Sequence, residues 1–235
     1  MKICIPSSNR ASKCTSAFLK GAIVFVPEGQ KIAYEENITN KIVEVPEEFY
    51  GITKTRNYII NYFENEDILF LDDDVKECGY FKEGLRIDLK NETYSEDWEK
   101  MFQNCFDITK QFGFSIWGAE SGGNKFSNHV LNQIDLKGSI NGTILGVMAN
   151  SFNFDEKYIV KEDFDLILRA YKKDGGFLKF NNFYWRTKHW GNPGGCVDYR
   201  TNEIEMKCIN MLNKSHPGFI KQGKNKNMFH TTLKF

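Results

Sequence analysis

The chain has 235 residues, of which 41% are hydrophobic and 14% aromatic, and this composition excludes an intrinsically disordered protein. No apolar run approaches the roughly 18–20 residues of a membrane-spanning helix, which excludes a helical membrane protein. Lysine plus arginine balances aspartate plus glutamate at 31 each, so charge alone favours neither an acidic nor a basic partner for the chain as a whole.

Strand and helix patterns alternate over the first 75 residues. Helical spacing of apolar residues predicts helices over residues 11–21 and 52–66. Short apolar runs predict four strands, at residues 2–6, 22–29, 41–46 and 68–71. This alternation is typical of an α/β fold with a largely parallel sheet.

The second half of the chain has a less regular pattern. It predicts an amphipathic helix over 93–113, capped by Ser95 and stopped by Gly113, and a strong helix over 161–176. Strands are expected at 114–121 and 177–187, and residues 129–150 are typical of a pair of strands around a turn. A last helix is expected between Thr201 and Lys214, before a lysine-rich end.

Charge and cysteine usage add two expectations. Residues 186–235 carry nine Lys or Arg and three Asp or Glu, a net charge of +6 that must be offset by −6 in the first 185 residues. Such a basic quarter suits a polyanion, although a solvated basic tail would have the same composition. The cysteines form no C-x-x-C pair, which argues against a structural zinc site and predicts reduced, mostly buried thiols. The chain has six of them: Cys4, Cys14, Cys78, Cys105, Cys196 and Cys208.

Three consecutive carboxylates, Asp72, Asp73 and Asp74, directly follow the apolar run "ILFL". Asp72 and Asp74 are two residues apart and can share a face, whereas Asp73 points elsewhere. This D-x-D arrangement is typical of carboxylates that bind Mg²⁺ or Mn²⁺ together with a diphosphate. Without a cation the three charges would repel one another and raise their pKa values. An ordinary solvated loop can also carry three acids.

Other polar residues follow the predicted strands at the same edge of the sheet. Ligands of parallel α/β sheets bind beyond the carboxyl ends of the strands. Asn9 and Arg10 follow the first strand and Glu28 follows the second, so we expect them to face one crevice with the three aspartates. Arg56, at the start of the preceding helix, either lines this crevice or faces solvent.

Glu162 and Asp163 open the predicted helix at 161–176. Acids in a first helical turn are favoured by the helix dipole, by about 0.3–1 kcal/mol each, which is reason enough for their presence. They lie about ninety residues after the D-x-D motif, beyond the segment "GTILGVMANSFNFDE". In that context a general base that removes a proton from an acceptor hydroxyl is the better interpretation.

The segment "YWRTKHWGNPGGC" combines aromatic residues, cationic groups and glycines. His189 could complete a metal shell begun by Asp74, because imidazole is an acceptable ligand for Mn²⁺. Backbone N–H groups of Gly194 and Gly195 could approach phosphates. The two tryptophans could instead stack on a base or a sugar. A histidine in an aromatic run is also compatible with an ordinary core or surface position.

The sequence resembles a GT-A glycosyltransferase in the order of its motifs: "PSSNR", "TRNYII", "ILFLDDDV", "GTILG", "KEDFDLILRA", then a late His and Gly-Gly. The resemblance implies a Rossmann-like, mostly parallel central sheet flanked by helices, with a smaller acceptor-side sheet. It implies one domain over 1–235, divided into a nucleotide-sugar half (1–112), an acceptor and catalytic half (113–197) and a basic C-terminal part (198–235).

The same resemblance implies roles for individual residues. The donor would be a nucleotide diphosphate sugar, most simply a UDP-sugar, bound with Mn²⁺ or Mg²⁺. Asp72 or Asp73 would meet the nucleoside, Asp74 the metal and Asp163 the acceptor hydroxyl, as the base if the enzyme inverts. The nucleoside pocket would be lined by Asn9, Arg10 and Glu28.

The compact length and the motifs "FLDDDV", "KEDFDL" and "HWGNPGGC" most resemble the phage TET/JBP-associated glycosyltransferases. That family is thought to add sugars to 5-hydroxymethylpyrimidines in DNA. A DNA acceptor is compatible with the basic C-terminal quarter, and the modified base would have to be exposed or flipped. No signal peptide is recognisable at the N-terminus, so we expect a cytoplasmic protein, in the host cytoplasm if a phage encodes it. The lysines of the basic C-terminal quarter that could contact a DNA backbone are Lys207, Lys214, Lys221, Lys224 and Lys226.

Three alternatives remain open from the sequence. The first is the same reaction on a protein or glycan acceptor. The second is a nucleotidyltransferase, which also needs acids, a metal and a diphosphate. The third is a DNA-binding module with an inactive site.

Overall fold

The computed structural model describes residues 1–82, 85–88, 98–121, 133–138, 140–187, 194–223 and 231–235. Ten strands form one mixed sheet in the order β3-β2-β1-β4-β9-β7-β10-β5-β6, with β8 beside β10, and β11 and β12 form a separate antiparallel pair. The strands are β1 (Lys2–Pro6), β2 (Ile23–Pro27), β3 (Lys41–Val45), β4 (Ile68–Leu71), β5 (Val75–Lys82), β6 (Leu85–Asp88), β7 (Ile116–Ser121), β8 (Ile134–Asp135), β9 (Ile144–Val147), β10 (Leu178–Thr187), β11 (Ile220–Gln222) and β12 (Thr231–Leu233).

The first four strands are parallel, as their alternation with helices predicts. Strand β1 lies between β2 and β4, and β3 lies beyond β2. Downstream of β4 most pairs are antiparallel. Strand β9 lies antiparallel between β4 and β7, whereas β10 is parallel to β7 and antiparallel to β5. The carboxyl ends of β1 to β4 therefore meet at one edge, where the start of β9 faces the end of β4.

Helices cover both faces of this sheet. They are α1 (Lys31–Glu35), α2 (Ile52–Tyr62), α3 (Trp98–Gln111), α4 (Glu162–Asp174) and α5 (Asn202–Ser215). Helix α4 ends at Gly175 in the left-handed region (φ +79°), as the glycine after its last turn predicts. Helix α5 is capped by the side chain of Thr201, which accepts a hydrogen bond from Ile204 N at 3.2 Å.

The strands divide their side chains between two cores because successive residues point to opposite faces. Alternate residues of β4, Ile68 and Phe70, pack with α2 and α4, whereas Leu69 and Leu71 pack with α3. Trp117 is fully buried in the second core, where its ring lies against Gly146 of the neighbouring strand. A Cβ atom at Gly146 would lie 2.0 Å from Trp117 Nε1, so only glycine fits there.

Some expectations about the elements need correction. The two strands within 129–150 exist, but they do not pair around a turn: β8 pairs with β10, and β9 is inserted between β4 and β7. Residues 11–21 form two short 3₁₀ turns, Ala11–Lys13 and Thr15–Phe18, instead of one helix. The sequence pattern also predicts neither β5 nor β6.

Other expectations are confirmed or lie outside the described residues. All six cysteines are free thiols, five of them buried, as expected for reduced cysteines. The predicted cap at Ser95 falls outside the described residues. Within the described part of the chain, none of the helices has both the length and the apolar character needed to cross a membrane.

Candidate active site at the carboxyl ends of the parallel strands

The loops after β1 and β4 meet through a buried ion pair. Arg10 Nη1 lies 2.6 Å from Asp73 Oδ1, and Ser7 Oγ donates to Asp73 Oδ2 at 2.5 Å. Asp73 is only 5% exposed, so the middle aspartate binds the protein itself. The register of the parallel strands causes this contact, because Cys4 of β1 is paired with Phe70 of β4, a few residues before each loop.

The flanking aspartates have different surroundings. Asp74 Oδ2 lies 4.0 Å from Arg10 Nη1 at the outer side of that ion pair. Asp72 Oδ1 accepts a hydrogen bond from Arg56 Nη2 at 3.2 Å, and the backbone N–H of Asp72 donates to Thr143 O at 3.0 Å. Asp72 and Asp74 are both less buried than Asp73. The predicted division of roles within the triplet stays a prediction.

Arg56 connects the two halves of the chain. Its Nη1 donates to Glu162 Oε1 at 2.6 Å, and its Nη2 donates to Gly142 O at 2.9 Å as well as to Asp72. The guanidinium carbon lies 5.5 Å from the ring centre of Phe70, and the side chain is only 2% exposed. Arg56 therefore neither faces solvent nor lines the crevice as predicted, but bridges carboxylates beneath it.

Glu162 and Asp163 open α4 beside this bridge. Glu162 is buried and paired with Arg56, whereas Asp163 is partly exposed. Asp163 Oδ2 accepts from Gly142 N and Oδ1 from Phe164 N, both at 2.9 Å. Of the two predicted catalytic acids, Asp163 is the one that remains accessible.

Gly142 is a site residue whose role the sequence reasoning missed. A Cβ atom there would lie 2.7 Å from Arg56 Nη1, so the backbone can reach the guanidinium only because residue 142 is glycine. The available signal was the dipeptide Asn141-Gly142 before the apolar strand β9, a typical turn sequence. This turn holds Arg56 through its carbonyl and Asp163 through its N–H.

The site carries more negative than positive charge. Burial raises the pKa of Asp72 to about 7 against the opposing effect of Arg56, and the charges of Asp74 and Asp73 add to the rise. Burial likewise raises the pKa of Glu162 to about 7, although Arg56 lowers it. Within the described residues, Arg10 and Arg56 are the arginines that form ion pairs with this group, which has five carboxylates: Asp72, Asp73, Asp74, Glu162 and Asp163.

This excess of negative charge fits a divalent cation. A cation beside Asp74 and Asp72 would neutralise it and favour the ionised carboxylates. The described residues contain no group of three or more His, Cys, Asp or Glu side chains that could hold a metal by themselves. Magnesium-type ions in phosphate-transfer sites usually take one or two carboxylates and complete their shell with substrate phosphates and water. His189, the third predicted ligand, lies outside the described residues.

The segment from Gly194 to Tyr199, called the late loop below, packs through its two glycines against the loop after β1. Gly195 N donates to Ser8 O at 2.9 Å, Gly194 N donates to Asp198 Oδ1 at 3.2 Å, and Gly194 O accepts from Arg10 Nη2 at 2.8 Å. A Cβ atom at Gly194 would lie 2.8 Å from Asn9 O. Both N–H groups are thus already bonded to protein oxygens, a different role from the phosphate contacts that the sequence predicts.

The two other predicted nucleoside-pocket residues differ in how they are held. Asn9, in the left-handed region (φ 57°), donates to Asp198 Oδ2 at 3.0 Å and accepts from Gln30 Nε2 at 2.8 Å. Glu28 is exposed, and its backbone N–H donates to Val45 O at 3.0 Å. Asn9 therefore holds the loop after β1 against the late loop. Glu28 is exposed at the carboxyl end of β2, at the rim of the sheet edge that carries the site.

Cys196 and Tyr199 form a second contact that the sequence reasoning missed. The hydroxyl of Tyr199 donates to Cys196 Sγ at 3.2 Å and accepts from Ile52 N at 3.1 Å, which ties the late loop to the start of α2. Burial and the nearby charge of Glu162 raise the pKa of the Cys196 thiol to about 12, so it stays protonated. These residues close the site around Arg56 and Glu162.

Comparisons with solved structures show the fold. The chain superimposes on S. aureus TarS 1–349 in complex with UDP-GlcNAc with a TM-score of 0.50 and 14% identity, over 91% of this chain and 67% of that one. It superimposes on the glucosyl-3-phosphoglycerate synthase of Mycobacterium tuberculosis in complex with Mn²⁺, UDP and glucosyl-3-phosphoglycerate with a TM-score of 0.50 and 10% identity, over 99% and 86%. A mycobacterial protein gives a TM-score of 0.53 and 9% identity, over 99% and 81%. These likenesses confirm the predicted GT-A fold. The chain spans about two thirds of the TarS fragment.

Sequence comparison identifies the family. No curated protein matches the chain. A sequence model of the TET-associated glycosyltransferases, however, matches residues 1–195, most of the chain. The motif order, the GT-A fold and this match agree, and the chain belongs to the TET-associated glycosyltransferase family.

Proposed function

We propose that the protein transfers a sugar from a UDP-sugar to the hydroxyl of a 5-hydroxymethylpyrimidine in DNA, with Mn²⁺ or Mg²⁺ bound at the D-x-D acids. The observation that carries this proposal is the double contact of Arg56, which holds Asp72 and Glu162 together although 90 residues separate them in the chain. This bridge joins the start of the D-x-D loop to the first turn of α4, where Asp163 follows Glu162. A donor site and a candidate base therefore occupy one edge of the sheet.

The donor end is supported by charge and by the solved relatives. Asp74 and Asp72 would hold the metal, and their excess negative charge fits it. The metal would neutralise the charge that develops on the departing UDP. Arg10 and Asn9, in the loop after β1, and Glu28, at the rim, would line the nucleoside pocket. TarS and the mycobacterial synthase were solved with UDP-GlcNAc and with Mn²⁺ plus UDP respectively, which favours the same class of donor here.

The acceptor end is supported by Asp163. Its carboxylate is accessible and is fixed by two backbone N–H groups, so it can accept a proton without moving. In an inverting reaction the acceptor O–H proton passes to Asp163, the oxygen bonds to the anomeric carbon, and the bond from that carbon to the UDP oxygen breaks with its electron pair on UDP. In a retaining reaction the same acid would position the acceptor hydroxyl.

The DNA acceptor is supported by the family name and by charge. TET proteins give the family its name, and the basic C-terminal quarter suits a phosphate backbone. Incubation with Mn²⁺, hydroxymethylcytosine or hydroxymethyluracil oligonucleotides and a panel of nucleotide sugars tests the proposal. Intact mass should increase by one sugar residue on a modified strand, with release of UDP.

The other outcomes separate the alternatives. Donor hydrolysis without a mass gain on any DNA would contradict the DNA acceptor and leave a protein or glycan acceptor. Release of pyrophosphate instead of a nucleoside diphosphate would indicate nucleotidyl transfer. Unmodified cytosine and thymine strands of the same sequence are the control, because they lack the acceptor hydroxyl.

A further inference from the structure

Arg200 is held beside the start of the catalytic helix by a buried carboxylate. Its Nε donates to Glu205 Oε1, and Glu205 is only 5% exposed. The other oxygen of Glu205 lies 3.3 Å from Lys161 Nζ. One carboxylate therefore serves two cations, and this cluster of Lys161, Arg200 and Glu205 has one surplus positive charge.

The terminal amino groups of Arg200 are available to a ligand. The side chain is 46% exposed, and among the described residues only its Nε has a hydrogen-bond partner. A half-exposed guanidinium that is fixed at Nε keeps its terminal amino groups for the two parallel hydrogen bonds that a phosphate accepts. Lys161 is 9% exposed and fixes the carboxylate from the other side.

The cluster adjoins the candidate base. Lys161 directly precedes Glu162 and Asp163, and it adopts a left-handed conformation (φ 65°) before α4. Arg200 N donates to Cys196 O at 2.9 Å, and the charges of Glu162 and Arg56 act in turn on the pKa of the Cys196 thiol. The charge of Asp163 contributes to raising the pKa of Arg200, so the two groups are close enough to interact.

We propose that Arg200, supported by Glu205 and Lys161, binds a backbone phosphate of the acceptor DNA next to the nucleotide whose hydroxyl reaches Asp163. This rests on the proposed function. The diphosphate of the donor has the same chemistry, but the proposed donor site lies at Arg10 and Asp74, and within the described residues neither of these contacts Arg200. Arg200 instead comes after the late loop in the chain and contacts Glu205 in the first turn of α5.

The experiment compares wild type with Arg200→Ala and Arg200→Lys, using UDP-sugar, Mn²⁺ and a hydroxymethylated oligonucleotide. Arg200→Ala should raise the KM for DNA about tenfold and lower the salt dependence of DNA binding by about one phosphate contact. Donor hydrolysis without DNA should be unchanged. Arg200→Lys should restore the salt dependence but only part of the affinity. Folding should survive, because Lys161 still neutralises Glu205.

The matched control is Lys20→Ala, which removes an exposed positive charge before β2, at the amino ends of the parallel strands. It should leave the KM for DNA unchanged. Equal losses of hydrolysis and transfer in Arg200→Ala would assign Arg200 to the donor and overturn the inference, as would unchanged transfer. A wild type that hydrolyses the donor but modifies no DNA would instead contradict the proposed function, and the inference would fall with it.

Discussion

At the scale of single residues, Arg56 joins the two parts of the candidate site. Its side chain is 2% exposed and compensates two carboxylates, one from each half of the chain. Removing one partner of a buried ion pair is costly because the remaining charge stays buried without compensation. Arg56 therefore combines a stabilising role with a positioning role for Asp72 and for the start of α4.

We expect Arg56→Met to lower the free energy of unfolding by about 3–5 kcal/mol, since Glu162 and Asp72 would lose their counter-charge. Denaturant unfolding measures this. Arg186→Met is the control, because Arg186 is 55% exposed and pairs with Glu77 at 3.7 Å. Such exposed pairs contribute about 0–1 kcal/mol. Equal effects of the two substitutions would contradict the role of Arg56.

Asp163 is the proposed acceptor of the proton in an inverting reaction. Asp163→Asn should lower kcat for sugar transfer by about 10²–10⁴-fold, because an amide cannot accept the proton, while the KM for the donor stays the same. Steady-state kinetics with a hydroxymethylated oligonucleotide measure both quantities. Asp174→Asn, at the other end of α4, is the control and should retain full activity. Unchanged kcat in Asp163→Asn would exclude this acid as the base.

At the scale of elements, α4 carries the candidate catalytic acids at its first turn and is fixed to the end of α5 by a buried network. Asp165 Oδ1 lies 2.8 Å from His216 Nε2, and Asp165 Oδ2 accepts from Arg169 Nε at 2.6 Å. Lys172 Nζ lies 3.0 Å from His216 Nδ1. With Lys172 protonated, Nδ1 is the acceptor and Nε2–H donates to Asp165. This network keeps α4, and hence Asp163, in place.

Asp165 also gives the stability a pH dependence. Burial tends to raise its pKa, but the hydrogen bonds from His216 and Arg169 outweigh burial and lower the pKa below 3.8. A depressed carboxyl pKa stabilises the fold above the unfolded-state value, and this stabilisation is lost as the pH falls through the folded-state value. Asp165→Asn should therefore cost about 3 kcal/mol at neutral pH and progressively less below about pH 4.

Denaturant unfolding of wild type and Asp165→Asn across this pH range measures the difference. Glu35→Gln is the matched control, because Glu35 and Lys31 form an exposed pair with the same four-residue spacing. That pair should contribute a few tenths of a kcal/mol at most. A difference between wild type and Asp165→Asn that stays constant down to pH 2 would contradict the depressed pKa.

The late loop depends on glycine at one position. In Gly194→Ala the new Cβ would meet Asn9 O at 2.8 Å and Ser8 O at 2.9 Å, so the loop should separate from Arg10 and the KM for the donor should rise. Gly218→Ala is the control, since Gly218 has a similar φ (+86° against +91°) but no atom within 4 Å of the new Cβ. Donor kinetics test this. A rise in KM in both variants would show backbone strain instead of the loop contact.

At the scale of the whole molecule, the sequence predicts what depends on local pattern. The parallel strands β1 to β4 follow from apolar runs that alternate with helices, and the bounds of α4 and α5 follow from Gly175 and from the cap at Thr201. The grouping of Arg10 with the aspartates follows from the rule that parallel strands end at the same edge. These features need no knowledge of long-range contacts.

The remaining features depend on tertiary contacts that no local pattern encodes. The insertion of β9 between β4 and β7 is one, because its apolar run would suit a hairpin with β8 equally well. The burial of Arg56 is another, since an arginine near the start of a helix is usually exposed. Its partners, Gly142 O and Glu162, lie 86 and 106 residues away in the chain.

We propose that Asp74 and Asp163 belong to one metal-dependent sugar-transfer site. The most direct test is the Mn²⁺ dependence of UDP release and of sugar transfer to hydroxymethylated DNA, in wild type and in Asp74→Ala. Wild type should show saturable activation by Mn²⁺ that a chelator abolishes, and Asp74→Ala should lose both metal-dependent donor hydrolysis and transfer. Retention of both activities in Asp74→Ala would contradict the claim.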